Sequence, residues 1–250
     1  MILLLDIGNT HTHLGLADKG KLRRTLNAPT HDWNGGAGVT HVTQFLRGSQ
    51  PTAAALCSVV PDATPVAIAT IEQLCQLTPL ELTSKTVRGI GIDYPKPHTI
   101  GPDRLANAIA ARKLFGAPAV VVDFGTAVTF DVLDRHGNYV GGIIAPGLNV
   151  MTDYLHEKTA LLPKIEIRDT RAIIGKSTEQ AMLIGAVHGY RGLIRELTKA
   201  LRAELKARRL PVIATGSYAK LIAAELPEIT AVRPHLTLEG LQVFLKAFRA

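Results

Sequence analysis

Two short stretches carry residues that could hold a phosphate chain. D-I-G-N-T (Asp6–Thr10) closes the apolar run Ile2–Leu5, and D-F-G-T (Asp123–Thr126) closes Ala119–Val122, 117 residues further on. Glycine lets backbone N–H groups come close to a phosphate, and a following Asn or Thr adds donors. An aspartate at a strand end can hold a hydrated cation that neutralises phosphate charge. One set is Asp6, Gly8, Asn9 and Thr10; the other is Asp123, Gly125, Thr126 and Thr129. Taken alone, either is more simply a hairpin in which Asp and Gly serve the turn. The repetition favours a phosphate grip, because facing turns can hold one polyphosphate from both sides.

A third candidate is G-P-D-R (Gly101–Arg104). Pro102 suits the first position of a helix, which puts Asp103 in its first turn. There it could simply complement the helix dipole, worth about 0.3–1 kcal/mol. It could equally be a general base, taking the proton of a hydroxyl that attacks a γ-phosphate. Arg104 could hold an anionic group or steady the transferring phosphoryl. Spacing alone leaves the two readings of Asp103 level.

Other motifs fail on inspection. G-K-S-T (Gly175–Thr178) resembles the end of a P-loop, but Thr170 stands where its first glycine belongs. Ser177 and Gln180 read instead as a capping box. His11 and His13 share a strand face without a third ligand in view, so a zinc site is not inferred. No G-x-S-x-G or Cys–His arrangement supports acyl chemistry. Gly185 and Gly189 would permit close helix approach, or a subunit contact.

Strands are expected at Ile2–Asp6, Thr12–Ala17, Lys21–Asn27 and Ala53–Val59, from alternation and turn residues. Asn34–Gly38 reads as a loop and Val39–Arg47 as a short helix. A helix over Thr64–Cys75 follows, with Asp62 as its cap. Ile90–Gly101 reads as an ordered loop, and Pro102–Leu114 as a helix. Strands then recur at Ala119–Asp123, Val128–Leu133 and Tyr139–Ile144, with His136–Asn138 turning the hairpin. Helices are expected at Leu148–Glu157, from Thr178 to near Arg208, from Tyr218 and from Leu238, with a strand at Pro211–Ala214. Three antiparallel strands followed by strand and helix elements thus occur twice. The pattern predicts two α/β lobes, 1–115 and 116–250, with the first turn and the substrate loop in one and the second turn in the other.

Composition sets bounds. The 250 residues are 46% hydrophobic and 20% charged, enough for a substantial core. No apolar run approaches the ~20 residues of a membrane span, and the start lacks the basic flank of a signal peptide. Cys57 and Cys75, with no C-x-x-C spacing, suggest a reduced cytoplasmic protein. The net charge of +7 suits anionic ligands. The basic stretch through Lys199, Arg202 and Lys206 lacks interleaved aromatics, so nucleic acid is not expected as a partner, and without a spanning apolar run neither is a membrane.

The ordered set of motifs resembles the type III pantothenate kinases, within the acetate and sugar kinase, Hsp70 and actin superfamily. It comprises D-I-G-N-T, C-S-V-V-P (Cys57–Pro61), Y-P-K-P-H-T-I-G-P-D-R (Tyr94–Arg104), D-F-G-T-A-V-T-F-D (Asp123–Asp131), G-G-I-I-A-P-G (Gly141–Gly147) and G-K-S-T, and the likeness runs on through L-T-L-E-G-L (Leu236–Leu241). The resemblance implies two ribonuclease-H-like (actin-like ATPase) lobes with mixed sheets flanked by helices, ATP in the cleft between them, and a homodimer. It implies phosphorylation of the primary hydroxyl of pantothenate by ATP with Mg2+, opening coenzyme A synthesis. Asp6, Ile7, Gly8, Asn9, Thr10, His11, Thr12 and His13 match the first phosphate-binding turn, and Thr126 a further ATP contact. Asp103 matches the catalytic base. Gly101, Pro102, Asp103 and Arg104 match pantothenate contacts, and Tyr94 and Thr178 align with others. Asp123 matches the ligand of a monovalent cation, K+ or NH4+. Lys96 often stands as Asn in the family, and Ser217 as a second Gly after Gly216. A non-catalytic nucleotide-binding regulator, or a kinase for another hydroxy acid or sugar, are the alternatives. Retention of Asp103 argues against the first, and the Tyr94–Arg104 loop against the second.

Overall fold

A computed structural model describes Met1–Arg249. In chain order its principal elements are β1 (Ile2–Ile7), β2 (His11–Asp18), β3 (Lys21–Pro29), α1 (Ala37–Leu46), β4 (Ala53–Ser58), α2 (Ala63–Cys75), β5 (Leu80–Glu81), β6 (Gly91–Ile92) and α3 (Pro102–Phe115). There follow β7 (Ala119–Phe124), β8 (Ala127–Leu133), β9 (Asn138–Pro146), α4 (Leu148–Lys158), α5 (Thr178–Ile184), α6 (Tyr190–Glu204), β10 (Val212–Gly216), α7 (Ala219–Ala223), β11 (Ala231–Val232) and α8 (Leu236–Arg249). The chain divides into two compact units. The first is Met1–Gly116 with Gly137–Val140 and the chain from His235 onward; the second is Ala117–His136 with Gly141–Pro234.

The duplication read from sequence is present in the topology. The first sheet runs β3-β2-β1-β4-β5, and the second contains the run β9-β8-β7-β10-β11. In the first, β1 pairs antiparallel with β2 and parallel with β4. In the second, β7 pairs antiparallel with β8 and parallel with β10. Both sheets are therefore mixed, with the aspartate strand at the junction of antiparallel and parallel pairing. The edge strands β5 and β11 are two residues long, too short to leave a periodic pattern in the sequence.

In the first unit, alternation along the strands sorts the sheet into two faces. Leu3, Leu5, Ile7, Leu14, Leu16 and Leu56 share a buried cluster with Trp33, with Val42 and Phe45 of α1, and with Ile71 of α2. The residues between them on β1 and β4 face the other way, where α8 and α3 pack. Gly240 of α8 lies directly on the Ala106 backbone, and Thr237 Oγ1 donates to Asn107 Oδ1 at 2.9 Å.

In the second unit, the irregular chain between α4 and α5 is pinned to the helices behind it. Ile165 and Ile167 pack on Leu183 and Val187. Arg191, 4% exposed, donates to Asp169 Oδ1 at 3.0 Å and to the Leu221 carbonyl at 2.8 Å.

Some local expectations needed correction. The Ser177 cap holds, since Ser177 Oγ accepts from Gln180 N–H at 3.2 Å, but the return bond of a capping box is shifted by one residue: Gln180 Oε1 accepts from Lys176 N–H at 2.7 Å. Asp62 does not cap α2 through its side chain. Its own backbone is already helical, and the Val60 carbonyl takes the Ala63 and Thr64 amides instead. The long helix from Thr178 is interrupted by a π-helical turn at Gly185–Gly189. A Cβ at Gly185 or Gly189 would meet nothing within 4 Å, so these glycines mark no close helix contact among the described residues. The Ile90–Gly101 loop contains β6 and a 3-10 turn at Pro97–Thr99.

Candidate active site

In the first unit, strand alternation sends Asp6 to the sheet face that carries α3. Cys57 is its neighbour across the parallel register and shares that face. The Cys57 thiol is fully buried and donates to Asp6 Oδ1 at 3.5 Å. Burial, then the negative charges of Asp6 and Asp103, push this thiol well up, so it stays a protonated donor. Asp6 and Asp103 thus act on one thiol. In the native protein, iodoacetamide is expected to label Cys75, which is partly exposed, and to leave Cys57 untouched. Peptide mass spectrometry before and after denaturation checks this; native labelling at Cys57 would contradict the burial.

Asp103 sits in the first turn of α3 behind Gly101 and Pro102, as the G-P-D-R reading requires. Its Oδ1 accepts the Arg104 N–H at 2.9 Å and lies 2.5 Å from where a Gly101 Cβ would stand. Only glycine at the cap leaves room for the carboxylate to fold back in this way. Burial pushes the Asp103 carboxyl above the ordinary range, and the Arg104 N–H and guanidinium pull back against it. A carboxyl so placed binds a proton more readily than an exposed one, as a base working near neutral pH should.

Arg104 lies over the Tyr139 ring, with its guanidinium carbon 5.8 Å from the centroid. Tyr94 meets the same ring edge-on, with centroids 6.2 Å apart. Tyr139 therefore joins the two predicted substrate contacts. Sequence reasoning missed it, because a strand tyrosine 1% exposed reads as ordinary core.

Asn9, Thr10 and His11 of the first turn are exposed, whereas Ile7 and Thr12 are fully buried. His13 is partly buried, and burial, followed by the His11 and His235 charges, lowers its pKa and favours the neutral ring. An open groove of about 700 Å3 beside Ser58, Pro61 and Ile68 is lined by none of the predicted site residues.

In the second unit, Asp123 ends β7, and two glycines flank its turn. Gly216 has φ +88°, and a Cβ there would come 2.7 Å from Asp123 Oδ1. A Cβ at Gly147 would come 2.5 Å from the Gly125 carbonyl oxygen. The Gly147 N–H donates to the Thr126 carbonyl and the Ser217 N–H to Phe124, both at 3.1 Å. Ser217 is exposed, so the departure from a second glycine meets no obstruction here. Thr126 and Thr178 are exposed. The structure thus groups Asp6, Cys57 and Asp103, and separately Tyr94, Tyr139 and Arg104, in the first unit; Asp123, Thr126 and Thr178 belong to the second.

This duplicated mixed-sheet architecture is that of the actin-like and sugar kinase fold. It aligns with a solved structure assigned to the Baf family of transcriptional activators, from Campylobacter jejuni, at TM-score 0.57 and 18% identity, covering 98% of this chain and 97% of that one. A second, assigned as a 2-dehydro-3-deoxygalactonokinase from Sinorhizobium meliloti, aligns at TM-score 0.54 and 15% identity, covering 100% and 96%. The profile of the type III pantothenate kinases matches residues 2–200. A type III pantothenate kinase of Methylacidiphilum infernorum is 41% identical, covering 97% of this chain and 87% of its own. One of Akkermansia muciniphila is 44% identical, covering 96% of each. The chain belongs to the type III pantothenate kinase family.

Proposed function

We propose that the protein transfers the γ-phosphoryl group of ATP to the primary hydroxyl of pantothenate, giving 4′-phosphopantothenate for coenzyme A synthesis. The observation that carries the site assignment is the half-buried Asp103 carboxyl at the start of α3, its proton affinity raised, near enough to Asp6 that both charges act on the Cys57 thiol. In this reading the substrate hydroxyl oxygen bonds to the γ-phosphorus as the bond to the β,γ-bridging oxygen breaks. ADP leaves, and Asp103 receives the hydroxyl proton. Arg104, over the Tyr139 ring, holds the pantothenate carboxylate, with Gly101, Pro102, Tyr94 and Thr178 as further contacts. The segment Asp6–His13 takes the ATP phosphates, and Thr126 adds a contact.

The oxygen-rich turn at Asp123 suits a hard monovalent cation: the carboxylate occupies space that any side chain at position 216 would fill. Asp123 would hold K+ or NH4+, and bound Mg2+ would neutralise the β and γ oxygens. Large apolar side chains exposed on the second unit, among them Ile144, Tyr154, Ile173 and Ile174, support a homodimer that covers them. No helix among the described residues is long and apolar enough to cross a membrane. The free thiols of Cys57 and Cys75 suit a reducing compartment, and on that ground we place the enzyme in the cytoplasm.

Release of ADP with ATP and pantothenate, with and without K+ or NH4+, tests this. Turnover that requires both the acceptor and the monovalent cation is expected. Protein that binds ATP yet never phosphorylates pantothenate would overturn the assignment. Sedimentation velocity tests the dimer.

A further inference from the structure

Beneath the first turn lies a chain of hydrogen bonds that no phosphate contact requires. Trp33 Nε1 donates to Thr12 Oγ1 at 2.9 Å, Thr12 and Thr30 hydroxyls meet at 3.0 Å, and Thr30 Oγ1 donates to the Gly8 carbonyl at 2.7 Å. All three side chains are at least 95% buried. The direction of every proton follows from the two ends. An indole N–H can only donate and a carbonyl can only accept. Thr30 therefore spends its single proton on Gly8, which obliges Thr12 to donate to Thr30. Thr12 in turn is left to accept from Trp33. The Thr30 N–H also holds the Thr10 carbonyl at 3.0 Å, so one residue ties both ends of the Asn9 turn. Trp33 is fixed in its own right: Gly38 of α1 lies so close that a Cβ there would stand 2.6 Å from the indole.

The consequence for the turn is geometric. The peptide joining Gly8 and Asn9 is planar, with its carbonyl and its N–H opposed. Drawing the Gly8 carbonyl down onto Thr30 turns the Asn9 N–H to the opposite side, away from the protein interior. We infer that Trp33, Thr12 and Thr30 form a positioning relay that aims the Asn9 amide at the ATP phosphates, and that phosphate binding is reported back along it to Trp33. This rests on the reading of Asp6–His13 as the phosphate site. A phosphate oxygen on the Asn9 N–H polarises that peptide and strengthens its carbonyl as an acceptor, and linked hydrogen bonds transmit such changes along their length. Trp33 is the chain's only tryptophan, so the indole signal has a single source.

The test uses the full-length enzyme, with steady-state kinetics and tryptophan emission titrated with ATP, ADP and adenosine. Thr30→Val removes the hydroxyl at nearly constant shape, and with it both the bond to the Gly8 carbonyl and the one received from Thr12; the freed Gly8 carbonyl is expected to raise KM for ATP about tenfold. KM for pantothenate should stay within about twofold, and Thr30→Ser should recover most of the loss. Wild-type emission should change with ATP and ADP but not with adenosine, and the change should vanish in Thr30→Val. Trp33→Phe keeps an aromatic ring in the core and drops the N–H, giving a smaller rise in KM for ATP and a second kinetic reading should Thr30→Val fold poorly. An unchanged KM for ATP in both variants, or equal losses for both substrates, would overturn the relay while leaving the phosphate site intact. If Asp6→Asn leaves ATP binding unaltered by calorimetry, the phosphate reading itself fails and takes the relay with it.

Discussion

Asp103→Asn is expected to lower kcat by roughly 10²–10⁴-fold while making the protein more resistant to heat at neutral pH. The two effects share one cause. The amide matches the carboxylate in shape but cannot take the proton of the attacking hydroxyl, so the chemical step loses its base while ATP binding stays close to wild type. Burial raises the Asp103 carboxyl above its ordinary range in spite of the Arg104 N–H, the Arg104 charge and its own backbone N–H. The folded protein therefore bears an ionised group that it would hold more comfortably protonated. In the unfolded chain the same group ionises at the ordinary carboxylate pKa. Stability is fully present below that value and is lost as pH rises through the raised one, after which the penalty stays constant. Asparagine escapes the penalty, so the variant's gain in melting temperature should be largest at neutral pH and shrink below the ordinary carboxylate range. In the wild type the acidic limb of kcat/KM should lie above the usual aspartate range and disappear in the variant's residual activity. Scanning fluorimetry and rate profiles over the same pH series measure both. Full activity in Asp103→Asn would move the base elsewhere, and a lower melting temperature at neutral pH would contradict the desolvation.

What the sequence made legible was whatever repeats or is local. The matched Asp-x-Gly turns announced two sheets of one topology, because each is a strand end followed by its own hairpin. Pro102 and the Ser177–Gln180 pair marked helix starts correctly, since capping is settled within four residues. The supports of the site were not legible, because they are made across distance. Cys57 meets Asp6 only once β4 pairs parallel with β1, 51 residues apart. Tyr139 looks like any inward strand residue until Tyr94 and Arg104 arrive on its ring. Thr30 and Trp33 sit in a single 3-10 turn that leaves no periodic trace. Asp62 shows the opposite failure: its residue type invites capping, but a carbonyl from the preceding turn already satisfies the amides.

The last helix carries the second large effect, through Gly240→Ala. Gly240 faces the Ala106 backbone so closely that a Cβ would fall inside its carbonyl, and would stand 2.5 Å from the carbonyl carbon. The neighbour is backbone in the middle of α3, with no flexible side-chain end to swing away. Asn107, the next residue along, is held by Thr237 from the same helix, so a slide that relieved Gly240 would strain that bond. Alanine gains about 1 kcal/mol in intrinsic helix preference over glycine. Overpacking costs typically 1–3 kcal/mol, and a backbone obstruction belongs at the upper end. The net expectation is a loss of about 2 kcal/mol, or roughly 4–8 °C in melting temperature for a chain of this size. Gly192→Ala on α6 isolates the clash from the propensity, because a Cβ there meets nothing within 4 Å. That change should be neutral or stabilising by up to about 1 kcal/mol. Catalysis should suffer along with stability in Gly240→Ala. The helix forced outward carries Asp103 one turn before Ala106, and a misplacement of about 1 Å at a reacting group can cost about 10²-fold in rate. A fall in kcat with KM for ATP nearly constant would show that α8 sets where the base stands. A variant that melts with the wild type would mean that α3 and α8 can separate freely, and that α8 does not set the position of Asp103.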